Sequence, residues 1–306
     1  MKGLWLTGPA YELGERRMSH ADVPDFSTGL IVLGLPPKPE FLGIGHFHKM
    51  EDLYGTISRS IAKTLERSEL AAADIDAVLF CSSQFHHDAT TQNRGYARVL
   101  QSQSIAPTAM YCVSGTGCVS LLSGLQLAAG LIAARGFRAV LVVNYDQADP
   151  SDDLGRICSH ALLSDAVASV VLSSRRATPR DLCLQGYTDG TDASQMASGV
   201  RLQDVARGRQ AIQSCAEISG ERLSAVEKVF SNNIYLPMKR MKELSYGITP
   251  QQLYLSNVTR KGHCFSSDLL INLSDYLDER PAASGSFVFY SEAAGHIGCL
   301  LAGRSS

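Results

Sequence analysis

A cysteine does nucleophilic chemistry when its surroundings favour the thiolate, the form that attacks. Cys118 has such surroundings, in the run Tyr111-Cys-Val-Ser-Gly-Thr-Gly-Cys118. It opens the most apolar helix-length segment of the chain, residues 118–134, which are almost all Leu, Ala, Val, Ile, Gly and Ser, with no charge before Arg135. A helix start offers unpaired N–H groups and a partial positive charge to an anion. A helix apolar on all sides is a buried one, so the sulfur is expected to face outward from the core. Gly115 and Gly117 let a second backbone or a ligand come close to it. A serine-hydrolase elbow needs glycine two residues to either side of the nucleophile. Cys118 has glycine only before it, at 115 and 117, which excludes that arrangement.

The other reactive side chains are more scattered. His46-Phe-His48 and His86-His87 offer paired imidazoles but no third or fourth ligand at zinc spacing, so no metal is expected. His160 precedes an apolar strand and reads as structural, and Cys112 reads as a core residue of the strand before the nucleophile loop. The eight cysteines (81, 112, 118, 158, 183, 215, 264, 299) show no C-x-x-C spacing, which fits reduced thiols and a cytoplasmic location better than a disulfide framework. A chain of 306 residues, 45% hydrophobic and 19% charged, buries a large core as one domain or two fused halves. A net charge of −2 leaves no footprint for nucleic acid or an anionic membrane. The N-terminus is too short in apolar residues for a signal peptide, and no transmembrane span is expected.

The elements that must position Cys118 alternate between the two hydrophobic periods. Residues 1–50 read as irregular, with a short strand near Gly3–Thr7. Asp52–Leu70 reads as an amphipathic helix carrying Leu53, Ile57, Ile61 and Leu65 at intervals of four. Ile75–Cys81 and Thr108–Val113 read as strands on either side of a helix at Gln92–Gln101. After the Cys118 helix come strands at Arg138–Tyr145 and Ala161–Leu172, the latter interrupted at Ser164-Asp165. The second half repeats the order: helix Gln210–Leu223, strand Val226–Ser231, helix Pro237–Leu244, strand Leu253–Ser256, a loop through Lys261-Gly-His263, a helix to Leu277, strand Ser286–Tyr290 and a last strand ending near Ala302. Such alternation argues for α/β layering on a largely parallel sheet. His263 lies 145 residues after Cys118, and Ser291 lies 145 after Asp146 at the following strand end. An internal duplication at that offset sets Cys118 and His263 at equivalent points of two halves that face each other across one cavity.

A duplicated α/β chain with a cysteine heading a buried helix resembles the thiolase superfamily, and most closely its β-ketoacyl-ACP synthase III branch. The likeness covers about residues 50–306. Cys118, its helix and Val142-Val-Asn-Tyr-Asp146 are similar to the family's nucleophile helix and following strand. Leu163-Ser-Asp165-Ala-Val-Ala-Ser-Val-Val-Leu172 is similar to its Phe-Gly-Asp-Gly-Ala-Gly-Ala segment. Phe230-Ser-Asn232-Asn-Ile-Tyr stands where the family has Pro-His-Gln-Ala-Asn, Lys261-Gly-His263 where it has Tyr-Gly-Asn, and Tyr290-Ser-Glu-Ala-Ala-Gly295-His-Ile-Gly298 where it has a glycine-rich loop. The resemblance implies a thiolase fold: two duplicated α/β half-domains, residues 1–174 with the nucleophile and 175–306 with the Asn and His, packed as a five-layer αβαβα sandwich.

It also implies an acyltransferase with an acyl-Cys118 intermediate, fed by a CoA or acyl-carrier-protein thioester and needing no other cofactor. The family's Cys, His and Asn appear here as Cys118, Asn232 and His263, with the last two exchanged. The exchange is compatible with decarboxylative condensation, in which neutral donors stabilise an enolate. It is equally compatible with acylation of an alcohol, amine or thiol, with His263 as general base. The backbone N–H groups of Cys118 and the 292–295 loop, at Ala294 and Gly295, are the implied oxyanion hole. His86, His87, Asn233 and His296 are candidate pocket residues, and Cys264 a candidate second thiol. Lys239, Arg240 and Lys242 are candidates for docking an acidic carrier protein. The family's Trp-x-x-x-Arg-Thr-Gly segment for CoA has no counterpart near residues 25–45, and the only tryptophan is Trp5. A homodimer is implied, with a role in specialised-metabolite, polyketide or fatty-acid biosynthesis. The altered trio and loop leave open an alternative: a catalytically impaired subunit supporting a homologous partner in a heteromeric complex.

Overall fold

The computed structural model describes residues 3–83, 88–198 and 204–304. The first half runs β1 (Trp5–Leu13), β2 (Arg16–Ser19), α1 (Phe26–Val32), α2 (Pro39–Leu42), β3 (His46–Lys49), α3 (Leu53–Ser68), β4 (Ala77–Cys81), α4 (Ala89–Ser102), β5 (Ala109–Val113), α5 (Ser120–Arg135), β6 (Ala139–Asp146) and β7 (Ala166–Ser173). The second runs β8 (Leu182–Thr191), α6 (Ala193–Ser198), α7 (Val205–Ser219), β9 (Lys228–Ser231), α8 (Leu236–Ser245), α9 (Ser256–Lys261), α10 (Asp268–Glu279), β10 (Ser286–Ala293) and β11 (His296–Gly303).

Nine strands are hydrogen-bonded in the order β5-β4-β6-β7-β1-β8-β11-β10-β9. On the first side β4 is parallel to β5 and β6, and β7 is antiparallel to β6 and β1. On the second β9 is parallel to β10, and β11 is antiparallel to β10 and β8. Counted by appearance, both arrays have the order third, second, fourth, fifth, first. The third member of the second array is reduced to one parallel bridge, Val229 to Leu253. The arrays join edge to edge at only two residue pairs, Trp5–Cys183 and Leu6–Leu182.

Alternation along the strands builds the layers, because successive side chains point to opposite faces. Ala77, Leu79 and Cys81 of β4 face the central core with α5, while Val78 and Phe80 face an outer core with α3 and α4. Phe287 and Phe289 of β10 enter the same central core beside α10, and Val288 and Tyr290 face the outer core with α7. The sequence is therefore helix, sheet, paired helices α5 and α10, sheet, helix: the five layers of the thiolase fold. The segment Gly117–Arg135 is long and apolar enough to span a membrane by composition, but it is the central helix of this core.

Several elements differ from the sequence expectation. The first 50 residues are not irregular: β1 runs nine residues between β7 and β8, while α1, α2 and β3 close over Ile157, Leu162 and Tyr235. β8 is an additional strand; its alternation of buried positions lasts only through Gly186, and the rest, Tyr187 followed by Thr, Asp, Gly and Thr, is held by pairing with β11. Leu253–Ser256 makes one bridge and turns into α9 at Ser256. Ala161–Leu172 is a strand only from Ala166. The break has a cause: Asp165, fully buried, accepts from both guanidinium nitrogens of Arg156 at 2.8 and 3.0 Å and from the backbone of Met50 and Ala148.

Candidate active site

Cys118 sits in a single 3-10 turn, Gly117–Val119, that leads directly into α5. Gly117 has φ +53°, in the left-handed region that side chains rarely adopt, and a Cβ there would stand 2.8 Å from the Cβ of Ala293. Glycine is thus required twice, by the backbone angle and by the end of β10 pressed against the nucleophile turn.

His263 is placed by its backbone. Its N–H donates to Leu162 O and its carbonyl accepts from Ser164 N–H, each at 2.9 Å, so the interrupted strand before β7 is what holds the imidazole. The Nε2 of His263 lies 3.6 Å from Cys118 Sγ, and its Nδ1 lies 2.5 Å from Asp268 Oδ2. A carboxylate only accepts, so Nδ1 carries a proton toward Asp268 and Nε2 is the nitrogen that can exchange one with the sulfur. Asp268 is the first residue of α10, where the helix end favours an anion. It also accepts from Asn233 N at 2.7 Å, Asn233 Nδ2 at 2.9 Å and Cys264 N at 2.8 Å. Burial of the imidazole opposes its protonation, but the Asp268 carboxylate, with Cys118 beyond, outweighs burial and lifts its pKa to about 10. The turn between His263 and Asp268 puts Phe265 at φ +53°, a conformation that costs a non-glycine residue about 1–2 kcal/mol. Its ring stacks on His263 with centroids 5.5 Å apart.

Asn232, at the end of β9, joins this group through bonds that leave it little freedom. Its Nδ2 donates to Phe265 O at 2.8 Å and its Oδ1 lies 2.7 Å from Ser291 Oγ. Ser291 Oγ is also 2.5 Å from the carbonyl of Cys118, so a single hydroxyl proton stands between two acceptors. One Nδ2 hydrogen of Asn232 remains for the cavity. That cavity has a volume of about 450 Å³ and is lined by Cys118, Asn232, His263 and, among others, His160, Phe265 and His296. The His160 ring is 6.0 Å from that of His263. His296 meets Thr191 Oγ1 at 3.3 Å.

Other expected residues are placed differently. Asn233 is buried behind His263, clamped to Asp268 and Gly262, and does not line the cavity. Ala293 and Ala294 line it, whereas Gly295 lies in the two-residue turn behind, its carbonyl accepting from Asp192 N–H and Arg207. Cys264 is fully buried, and burial pushes its thiol well up, which removes it as a second nucleophile. His86 and His87 lie outside the described residues. The basic rim is not a surface. Positions 239, 242 and 243 share one face of α8, and that face is turned inward. Lys239 is fully buried and paired with Glu243 at 2.9 Å, and Lys242 is paired with Glu292. Only Arg240 of the three is exposed.

Asp268 and Ser291 are the residues that sequence reasoning missed. A carboxylate five residues after a candidate histidine and at a helix start is a usable signal for the first. A serine within an apolar strand gives none for the second.

No protein-family model and no curated protein matches the chain by sequence. Solved structures match along its whole length. ChlB3, titled an acyltransferase, superposes with a TM-score of 0.82 at 13% identity, covering 99% of this chain and 98% of its own. 3-Oxoacyl-(acyl carrier protein) synthase III from Pseudomonas aeruginosa gives 0.78 at 18% identity, covering 98% of each chain. OleA from Xanthomonas campestris gives 0.79 at 13% identity, also with 98% of each covered. With its doubled strand order, five layers and paired central helices, the chain has the thiolase fold of the ketosynthase III-type condensing enzymes.

Proposed function

We propose that the protein is an acyltransferase of the ketosynthase III type that takes an acyl group from a CoA or carrier-protein thioester onto Cys118 and passes it to an oxygen or nitrogen acceptor. The observation that carries this reading is the line Cys118–His263–Asp268, with separations of 3.6 and 2.5 Å. In the first half-reaction His263 Nε2 takes the thiol proton, the sulfur attacks the thioester carbonyl, and the departing thiol receives that proton. In the second, the acceptor X–H gives its proton to the same Nε2 and attacks the acyl carbon, and Cys118 leaves as the thiolate and is reprotonated. Asp268 holds the tautomer and balances the imidazolium, the role its counterpart has in Ser-His-Asp hydrolysis. Backbone N–H groups of Cys118 and Ala294 are the candidates for the oxyanion.

Two features favour a heteroatom acceptor over decarboxylative condensation. Condensation uses a pair of neutral donors on the enolate oxygen, whereas His263 is held as a strong base by Asp268. The amide of Asn232 is held on both sides, by Phe265 and Ser291, which leaves it a single Nδ2 hydrogen for the cavity in place of a free pair of donors. The assembly is proposed to be a homodimer through β5, an edge strand that exposes Met110 and Cys112.

Intact-mass measurement after incubation with acyl-CoAs and acyl-carrier proteins tests the reading. An acyl adduct that maps to Cys118 and is lost in Cys118→Ala supports it. No adduct with any donor overturns it and favours the supporting-subunit alternative.

A further inference from the structure

Part of the cavity wall is ionic, which is not what a hydrocarbon chain requires. Ile234, just before α8, and Met238 and Lys242 on it line the cavity at intervals of four residues, so the lining turns from apolar to charged along the helix. At its far end Glu243, 2% exposed, also borders the cavity. Oε1 of Glu243 is satisfied by Lys239 at 2.9 Å and by the hydroxyl of Ser231. Oε2 is buried and has no hydrogen-bond partner among the described residues. The neighbouring cation, Lys242, pairs instead with Glu292, which also accepts from Tyr290 and Tyr246. A buried carboxylate oxygen without a donor is costly to keep.

We infer that the Glu243 carboxylate, by a small side-chain rotation that brings Oε2 to the cavity, is the anchor for a hydrogen-bond donor on the acceptor substrate, and that the acceptor carries at least two hydroxyl or amino groups. One is held by Glu243 while the other is delivered to the acyl carbon on Cys118. The inference rests on the acyltransferase reading and specifies its second substrate. Glu243 is coupled to the nucleophile through the chain itself: Lys239, which pairs with it, donates to the carbonyl of Asn232 at 2.9 Å, and the Asn232 side chain meets Ser291 beneath Cys118. A monofunctional alcohol would fill the same space and leave Oε2 unpaired. Sites built to bond a polar group discriminate strongly against analogues that lack it.

The acyl-enzyme, prepared with a donor thioester and freed of excess, is mixed with primary alcohols, terminal diols and amino alcohols of matched chain length, and loss of the Cys118 adduct is followed by mass. At one chain length the diol or amino alcohol should discharge the wild-type adduct on the order of tenfold faster than the monoalcohol, or more. In Glu243→Gln that ratio should fall to about one; a thermal melt run alongside shows whether the variant is folded, and the wild-type series stands without it. Equal rates for all acceptors in the wild type overturn the inference. So does a Glu243→Gln enzyme that keeps the ratio but forms the adduct slowly, which would give Glu243 to the donor's arm. If no adduct forms at all, the acyltransferase reading itself fails. Calorimetric titration of Cys118→Ala with the same diols, amino alcohols and monoalcohols then tests the anchor alone, and indistinguishable binding of the three classes overturns it.

Discussion

Cys118 and His263 are 145 residues apart in the chain and 3.6 Å apart in space, and Leu121 N–H donates to Ser266 Oγ at 2.9 Å across the same 145-residue separation. Equivalent positions of a twofold repeat touch only where the axis passes between them. Cys118 and His263 therefore flank the axis, where α5 and α10 begin side by side. The cavity receives one helix start from each half, so the positive ends of both helices point toward the place where charge develops.

Cys118 should be the first cysteine alkylated by iodoacetamide at neutral pH. Cys112 is more exposed, but partial burial of its thiol holds its pKa up, and Cys81, Cys264 and Cys299 are buried with thiols pushed higher still. Peptide mapping of lightly labelled protein reads the order, and prior labelling of Cys112 would contradict activation of Cys118 by His263.

Asp268→Asn removes the group that fixes the His263 tautomer, and adduct formation should slow by about 10²–10⁴-fold. A signature in stability should accompany it. The folded-state pKa of His263 is raised from 6.5 to about 10, so the fold binds this proton more tightly than the unfolded chain does. The stabilisation is complete below pH 6.5 and is lost as pH rises through about 10. Urea midpoints at pH 6, 8 and 10 should show this decline in the wild type and a flatter trend in Asp268→Asn.

Ser291→Ala leaves the Cys118 carbonyl and Asn232 Oδ1 without their shared donor. The expected loss is about 1–3 kcal/mol in denaturant unfolding, together with slower acylation. An unchanged midpoint and an unchanged rate would show that the hydroxyl holds neither group.

Gly117→Ala forces a side chain into left-handed backbone and against Ala293. About 1–2 kcal/mol of strain is expected, with a larger effect on acylation because the turn that carries the sulfur must shift. Gly136→Ala serves as a control: it has φ +67° but nothing within 4 Å of the added Cβ. It should lose comparable stability while keeping its rate.

The pairing of Cys118 with His263 was legible because each lies in a segment with a strong local signature, and the repeat offset joins them. Asp268 was not, because its approach to His263 depends on the Phe265–Ser267 turn, where Phe265 adopts an angle its residue type does not announce. The charged face of α8 illustrates a different limit. The spacing of 239, 242 and 243 shows that they share a face, but whether that face is wet or dry is decided by Glu292, about fifty residues later on another strand. β8 was hidden for a related reason: half of it has no apolar alternation, and pairing with β11 alone makes it a strand. The truncated third strand at Leu253 is the converse, an apolar triplet with too little partner to extend along.

Among the described residues the two arrays are joined through one strand pair, β1 with β8, at Trp5–Cys183 and Leu6–Leu182. Most of what presses the halves together is therefore side-chain contact around α5 and α10, including Leu125 and Leu273 in one shared core. The sulfur belongs to one half and the imidazole to the other, so the gap between them depends on non-covalent packing along both helices, with Leu125 seven residues beyond Cys118 and Leu273 ten beyond His263. Volume removed from that packing slackens the gap before it unfolds either half. Under the proposed function, acyl transfer would be a gauge of how firmly the two halves are seated, failing first when they loosen.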